Sequence, residues 1–119
     1  MFKHFFKYFK QRRKYGFDER ETWNLDHTFI EWLYKHCKLY YEVANEIVDL
    51  SWSGNNVIYK EKEMTQKEVI ERILSLCKQY FEAANMDREN WSVEKEDEAE
   101  RNLNEVVELW AVVWRNMWW

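Results

Sequence analysis

The sequence predicts an all-α protein: a bundle of three long helices preceded by a short N-terminal amphipathic one, with a loop or minor hairpin at about 50–64. Residues 1–119 read as a single helical domain. Three observations predict it. Proline is absent and glycine occurs only twice, so little interrupts a helix. Apolar residues recur three and four positions apart over long stretches, the period of a helix with one buried face. Turn-forming polar clusters separate those stretches.

Each element has its own signal. Phe2, Phe5, Phe6 and Phe9 follow the i, i+3, i+4, i+7 rule, and Lys3, Lys7, Lys10 and Lys14 line another face. Gly16 is placed to end this helix, because a glycine adopts the left-handed conformation after a last turn without strain. A second helix is predicted over about 25–49, with Thr22, Asn24 or Asp26 as cap. Its stripe is Leu25, Phe29, Trp32, Leu33, His36, Tyr40, Val43 and Ile47, widened by Ile30, Cys37 and Ala44. Ser51, Ser53, Gly54, Asn55 and Asn56 then break the period, and Val57 to Tyr59 favour a strand. An isolated two-stranded hairpin is marginal, so hairpin and ordered loop both remain open there.

The third helix opens on a capping box. In "TQKE" the Thr65 oxygen accepts a backbone N–H while Glu68 reaches back. Val69, Ile70, Ile73, Leu74, Cys77, Tyr80, Phe81 and Ala84 follow on one stripe, ending near Asn85. The last helix starts with Asn90 or Ser92 as cap, and acidic residues crowd the positive end of its dipole. Ala99, Leu103, Val106, Trp110, Val113, Trp114 and Met117 form its stripe.

Charge is unevenly distributed. Residues 1–15 hold six basic side chains and no acidic one, leaving 12 basic against 22 acidic elsewhere, a net of −10. The basic arm (Lys3, Lys7, Lys10, Arg12, Arg13, Lys14) either meets an external partner or folds onto its own acidic body. The expected reading is the inward one, with the phenylalanines completing the core, because four exposed rings would make an aggregation-prone patch. Binding of the arm to a membrane surface or to nucleic acid ranks lower.

Chemical signatures are few. His4, His27 and His36 fall in no HExxH or Glu-x-x-His pattern, and two glycines cannot build a phosphate loop. His36 reads as a satisfied core histidine. Cys37 and Cys77 lie in apolar stripes and read as buried thiols. The expectation is a protein that is not an enzyme and takes no cofactor or metal. The apolar run 109–114 is too short to span a bilayer, and lysines interrupt the N-terminus too often for a secretory signal, so a cytoplasmic location is expected.

One stretch carries a resemblance. In "GFDERETWNLDHTFIEWLY", Gly16–Phe17 is followed by Glu21, Trp23, Leu25 and Asp26, and the sequence closes on Met117, Trp118 and Trp119. This pattern resembles small phage-encoded helical proteins. The resemblance implies a phage or prophage accessory protein that binds and blocks a host machine, nucleases of defence systems included. It carries over no catalytic residues. The candidate partner contacts are Glu94, Glu96, Asp97, Glu98 and Glu100, which could occupy a basic nucleic-acid channel, and Trp118 and Trp119 as apolar anchors. The expected partner is a host protein or protein complex. A homodimer that buries spare tryptophans is the alternative.

Overall fold

The computed structural model describes residues 2–22, 24–87 and 89–117, the side chains of Phe2 and Lys3 excepted. Four α-helices dominate: α1 (Phe2–Tyr15), α2 (Leu25–Ile47), α3 (Gln66–Ala84) and α4 (Val93–Val113). Short 3-10 turns occupy Glu19–Thr22, Ser53–Asn55 and Trp114–Asn116. A two-stranded antiparallel hairpin pairs β1 (Val57–Tyr59) with β2 (Lys62–Met64) in the register Val57↔Met64, Ile58↔Glu63 and Tyr59↔Lys62. The protein is therefore mostly helical with one small sheet. It divides into two compact units, residues 1–32 and 33–119.

The larger unit holds the core. Leu33, Cys37, Tyr40 and Ala44 are buried on α2, Val69, Ile70, Ile73, Leu76 and Cys77 on α3, and Val106, Leu109 and Val113 on α4. The spacing within each set is three and four, the stripe that a helix turns toward its neighbours. Rings extend the α2–α3 contact, Tyr34 meeting Phe81 edge-on at 5.6 Å. Buried Gln66 ties three elements together. Its amide nitrogen donates to the Asn116 carbonyl at 2.6 Å, and its amide oxygen accepts from the Tyr40 hydroxyl at 3.1 Å.

Two helix starts follow the sequence closely. Thr65 and Glu68 form the reciprocal capping box, and the Ser92 hydroxyl accepts from the Lys95 amide at 3.2 Å. The hairpin settles the region left open between strand and loop. Its two turn residues, Lys60 and Glu61, both have positive φ (49° and 66°), as a type I′ connection requires. The glycine and asparagines upstream serve instead in the turn Ser53–Asn55, where a Cβ on Gly54 would run into the Trp52 indole. Val57 and Met64 point inward, and the Tyr59 hydroxyl donates to Glu108 on α4 at 2.6 Å.

The smaller unit departs from expectation. Gly16 ends α1 as predicted, at φ 86° with its amide donating to the Arg12 carbonyl. However, Phe5, Phe6 and Phe9 are 60, 62 and 51 % exposed, so they do not complete a core. The reason is which face of α1 is engaged. Lys7, Tyr8, Gln11 and Arg12 meet the turn Glu19–Thr22 and the Asp18 before it, and a helix that seats its polar side turns its apolar side out. Phe2 and Trp23 lie outside the described side chains.

Candidate functional site

Three surfaces hold the residues singled out from sequence. The first is the start of α4. Glu94, Glu96, Asp97, Glu98 and Glu100 are all exposed, and none is ion-paired among the described residues. The Ser92 cap sets the helix entry, and the negative side chains near it are favoured by the helix dipole. Farther along, carboxylates are used internally: Glu105 binds Arg72 at 3.1 Å, and Glu108 takes the Tyr59 hydroxyl. Acidic side chains of α4 are thus free of ion pairs up to Glu100 and committed at Glu105 and Glu108.

The second surface lies at the other end of the same helix. An apolar groove of about 420 Å³ opens between His36, Leu39, Tyr40 and Val43 of α2 and Trp110, Trp114 and Met117 at the end of α4. Trp114 is 49 % exposed here, although its spacing placed it in the core stripe. The buried line of α4 runs through Val106, Leu109 and Val113, and Trp114, about 100° farther round the helix from Val113, stands at its edge. His36 is likewise exposed rather than a core histidine. The predicted stripe on α2 was too broad: Leu25 and Ile47 are well exposed, and Trp32 and Val43 partly so. Trp118 and Trp119 lie outside the described residues.

The third surface is the basic arm, and the structure divides it. Arg12 is half-exposed yet committed to internal partners. Its Nε binds Asp18 at 2.7 Å and a terminal nitrogen reaches Glu21 at 3.3 Å. Lys7 binds Glu19 at 2.7 Å, and Gln11 both donates to Glu19 and accepts from its amide. Lys10, Arg13 and Lys14 make no ion pair among the described residues, Arg13 lying over the Phe9 ring and Lys14 over Tyr15. The Lys3 side chain lies outside the description.

Asp18 organises this unit and was not visible in the sequence as special. Its carboxylate is buried between Arg12 and Arg20, the latter binding both oxygens at 2.8 and 2.9 Å while donating its own backbone amide at 3.1 Å. Hydrogen bonds from Arg20 hold its pKa far below the ordinary carboxylate value, outweighing the effect of burial. The only sequence signal was the alternation of charge in "DERE", which reads equally well as a solvated connector.

The reactive side chains are muted. Cys37 and Cys77 are buried free thiols, and burial pushes both up to about 12, far from the thiolate that a nucleophile needs. Among the described residues, no group of three or more His, Cys, Asp or Glu converges as a metal site would. Among the same residues, no helix is long and apolar enough to cross a membrane. The arrangement is that of a mostly helical protein whose distinctive features are surfaces. No protein-family model, no curated protein and no solved structure matches the chain.

Proposed function

We propose that this chain is a non-catalytic binding protein of the phage accessory type, one that docks on a host protein or complex and blocks it. A nuclease or defence complex with a basic nucleic-acid channel is the class of target that its acidic helix suits. In this reading α3, α4 and the 33–47 part of α2 form one bundle in the host cytoplasm. The observation that carries the proposal is the apolar groove beside half-exposed Trp114. Tryptophan is enriched among energetic hot spots, and this one stands beside an apolar recess that a partner's side chain could fill and dry. The unpaired carboxylates at the other end of α4 would add rate and selectivity toward a basic partner.

Affinity purification of the full chain from host lysate tests this. One stoichiometric partner is expected. Trp114→Ala should weaken its binding by about 30-fold, the effect of losing a 2 kcal/mol hot spot. Replacing Glu94, Glu96 and Asp97 by their amides should slow association. The proposal fails if no protein is recovered in stoichiometric amount, or if both variants recover it as the parent does.

A second reading, self-association, has its own support. Leu39, Val43 and Ile47 form an exposed stripe on α2, flanked on one side by Lys35 and, farther along, by Glu42 and Glu46. A second copy packed antiparallel about a twofold axis would bring Lys35 against Glu42 and Glu46 of that copy. Light scattering would then find a dimer that Leu39→Glu dissociates. A monomer at high micromolar concentration ends this reading.

A further inference from the structure

We infer that α1 is a lipid-surface element: its aromatic face inserts among the acyl chains of an anionic bilayer while its free cations meet the headgroups. This site is separate from the acidic helix and the groove of the proposed function.

The way α1 is held sets its aromatic face toward water. On a soluble surface helix the apolar stripe normally faces the protein and the polar side faces water. Here the polar side is the anchored one. Lys7 and Gln11 fasten to Glu19, Arg12 to Asp18 and Glu21, and the Arg20 guanidinium stacks 4.3 Å from the centre of the Tyr8 ring. Lys7, Tyr8 and Gln11 lie on one side of the helix and Phe6 and Phe9 on the opposite one, with Arg12 and Phe5, seven residues apart, along the edge between them. The phenylalanines form their own array, Phe5 edge-on to Phe6 at 5.6 Å and stacked on Phe9 at 6.5 Å. Anchoring the polar side keeps that array in water, an arrangement that is unfavourable without an apolar medium to receive it.

Charge selects the medium. α1 contains no acidic residue, and among the described side chains the cations left over after the internal pairs are Lys10, Arg13 and Lys14. Arg13 continues the aromatic face one turn beyond Phe9, over whose ring it lies, and Lys10 and Lys14, one turn apart, follow the side next to Phe6. Phenylalanines bordered by lysine and arginine on a helix too short to span a bilayer fit an orientation parallel to the membrane plane, at the boundary of headgroup and acyl chain. Nucleic acid would use the same cations, but it offers no place for three adjacent rings on a duplex surface. A second copy would meet like charge with like.

Co-sedimentation of the full chain with two kinds of vesicle tests the inference: phosphatidylcholine alone, and equal parts phosphatidylcholine and phosphatidylglycerol. Binding to the anionic vesicles should be about 100-fold tighter, the combined effect of three cations each contributing about fivefold. Phe6→Ser with Phe9→Ser should lower it by more than about 100-fold. Lys10→Gln with Lys14→Gln should lower it by about 25-fold. All four positions are exposed, so the circular dichroism of both variants should match the parent. Failure to bind either vesicle overturns the inference, as does binding unaffected by the phenylalanine changes. Binding to short duplex DNA that needs Lys10 and Lys14 but not the phenylalanines would assign the face to nucleic acid instead. A dimer that dissociates on Phe6→Ser with Phe9→Ser, with no vesicle binding, would assign it to a second copy.

Discussion

Ile73→Ala should lower the stability of the larger unit by about 2–5 kcal/mol, the range for truncating a fully buried branched side chain. Ile73 has no exposed surface and stands mid-helix on the α3 stripe, between buried Ile70 and buried Leu76 and Cys77. The loss combines the transfer of three methyl or methylene groups with the cavity left in a close-packed core that relaxes only in part. In a chain of this size the midpoint of thermal unfolding should fall by roughly 10 °C or more. Ile58→Ala is the control. Ile58 is 71 % exposed on β1 and should change stability by less than about 0.5 kcal/mol. Thermal denaturation followed by circular dichroism checks both, and equal midpoints for the two variants would contradict the assignment of the core.

Asp18→Asn should loosen the 1–32 unit at neutral pH and weaken its response to acid, leaving only the smaller part that Glu19 carries through Lys7. The sign follows from the depressed pKa. A carboxylate favoured in the folded state contributes its full stabilisation above its unfolded value of 3.8, and that contribution drains away as pH falls toward the folded value. Hydrogen exchange is the appropriate probe because the effect is local. The Arg20 amide donates to the Asp18 side chain and the Glu21 amide to the Asp18 carbonyl. In the parent both amides should be protected at pH 7 and lose protection below about pH 4 once the differing intrinsic exchange rate is removed. In the variant protection should be low throughout. Equal protection at neutral pH would show that Arg12 and Arg20 do not depend on the charge of Asp18.

What the sequence disclosed tracks how local each signal is. Caps are local: Thr65, Glu68, Ser92 and Gly16 each act within a few residues, and each sits where its chemistry placed it. Helix spans followed from periodicity, to within two residues for α2. The hairpin stayed undecided because its turn uses Lys60 and Glu61 at positive φ, where glycine or asparagine would have announced it. The direction of a face is not local. Periodicity gave the aromatic stripe of α1 but not its outward aim, which depends on Glu19 and Asp18 engaging the opposite side. For the same reason Arg12 read as part of a free arm. On α2, apolar periodicity described a stripe wide enough for two neighbours, and Leu39, which fell outside it, is among the exposed residues that line the groove.

The tryptophans have a practical consequence for anyone following this protein by its intrinsic light emission. Of the five described indoles, Trp32, Trp52, Trp91 and Trp114 are each about half open to water, and Trp110 is largely covered. Indole emits at longer wavelength in polar surroundings, so the four half-open indoles should already emit toward the red in the native state and shift little on denaturation. The same property turns Trp114 into a reporter: whatever fills the recess beside it should move that emission toward the blue.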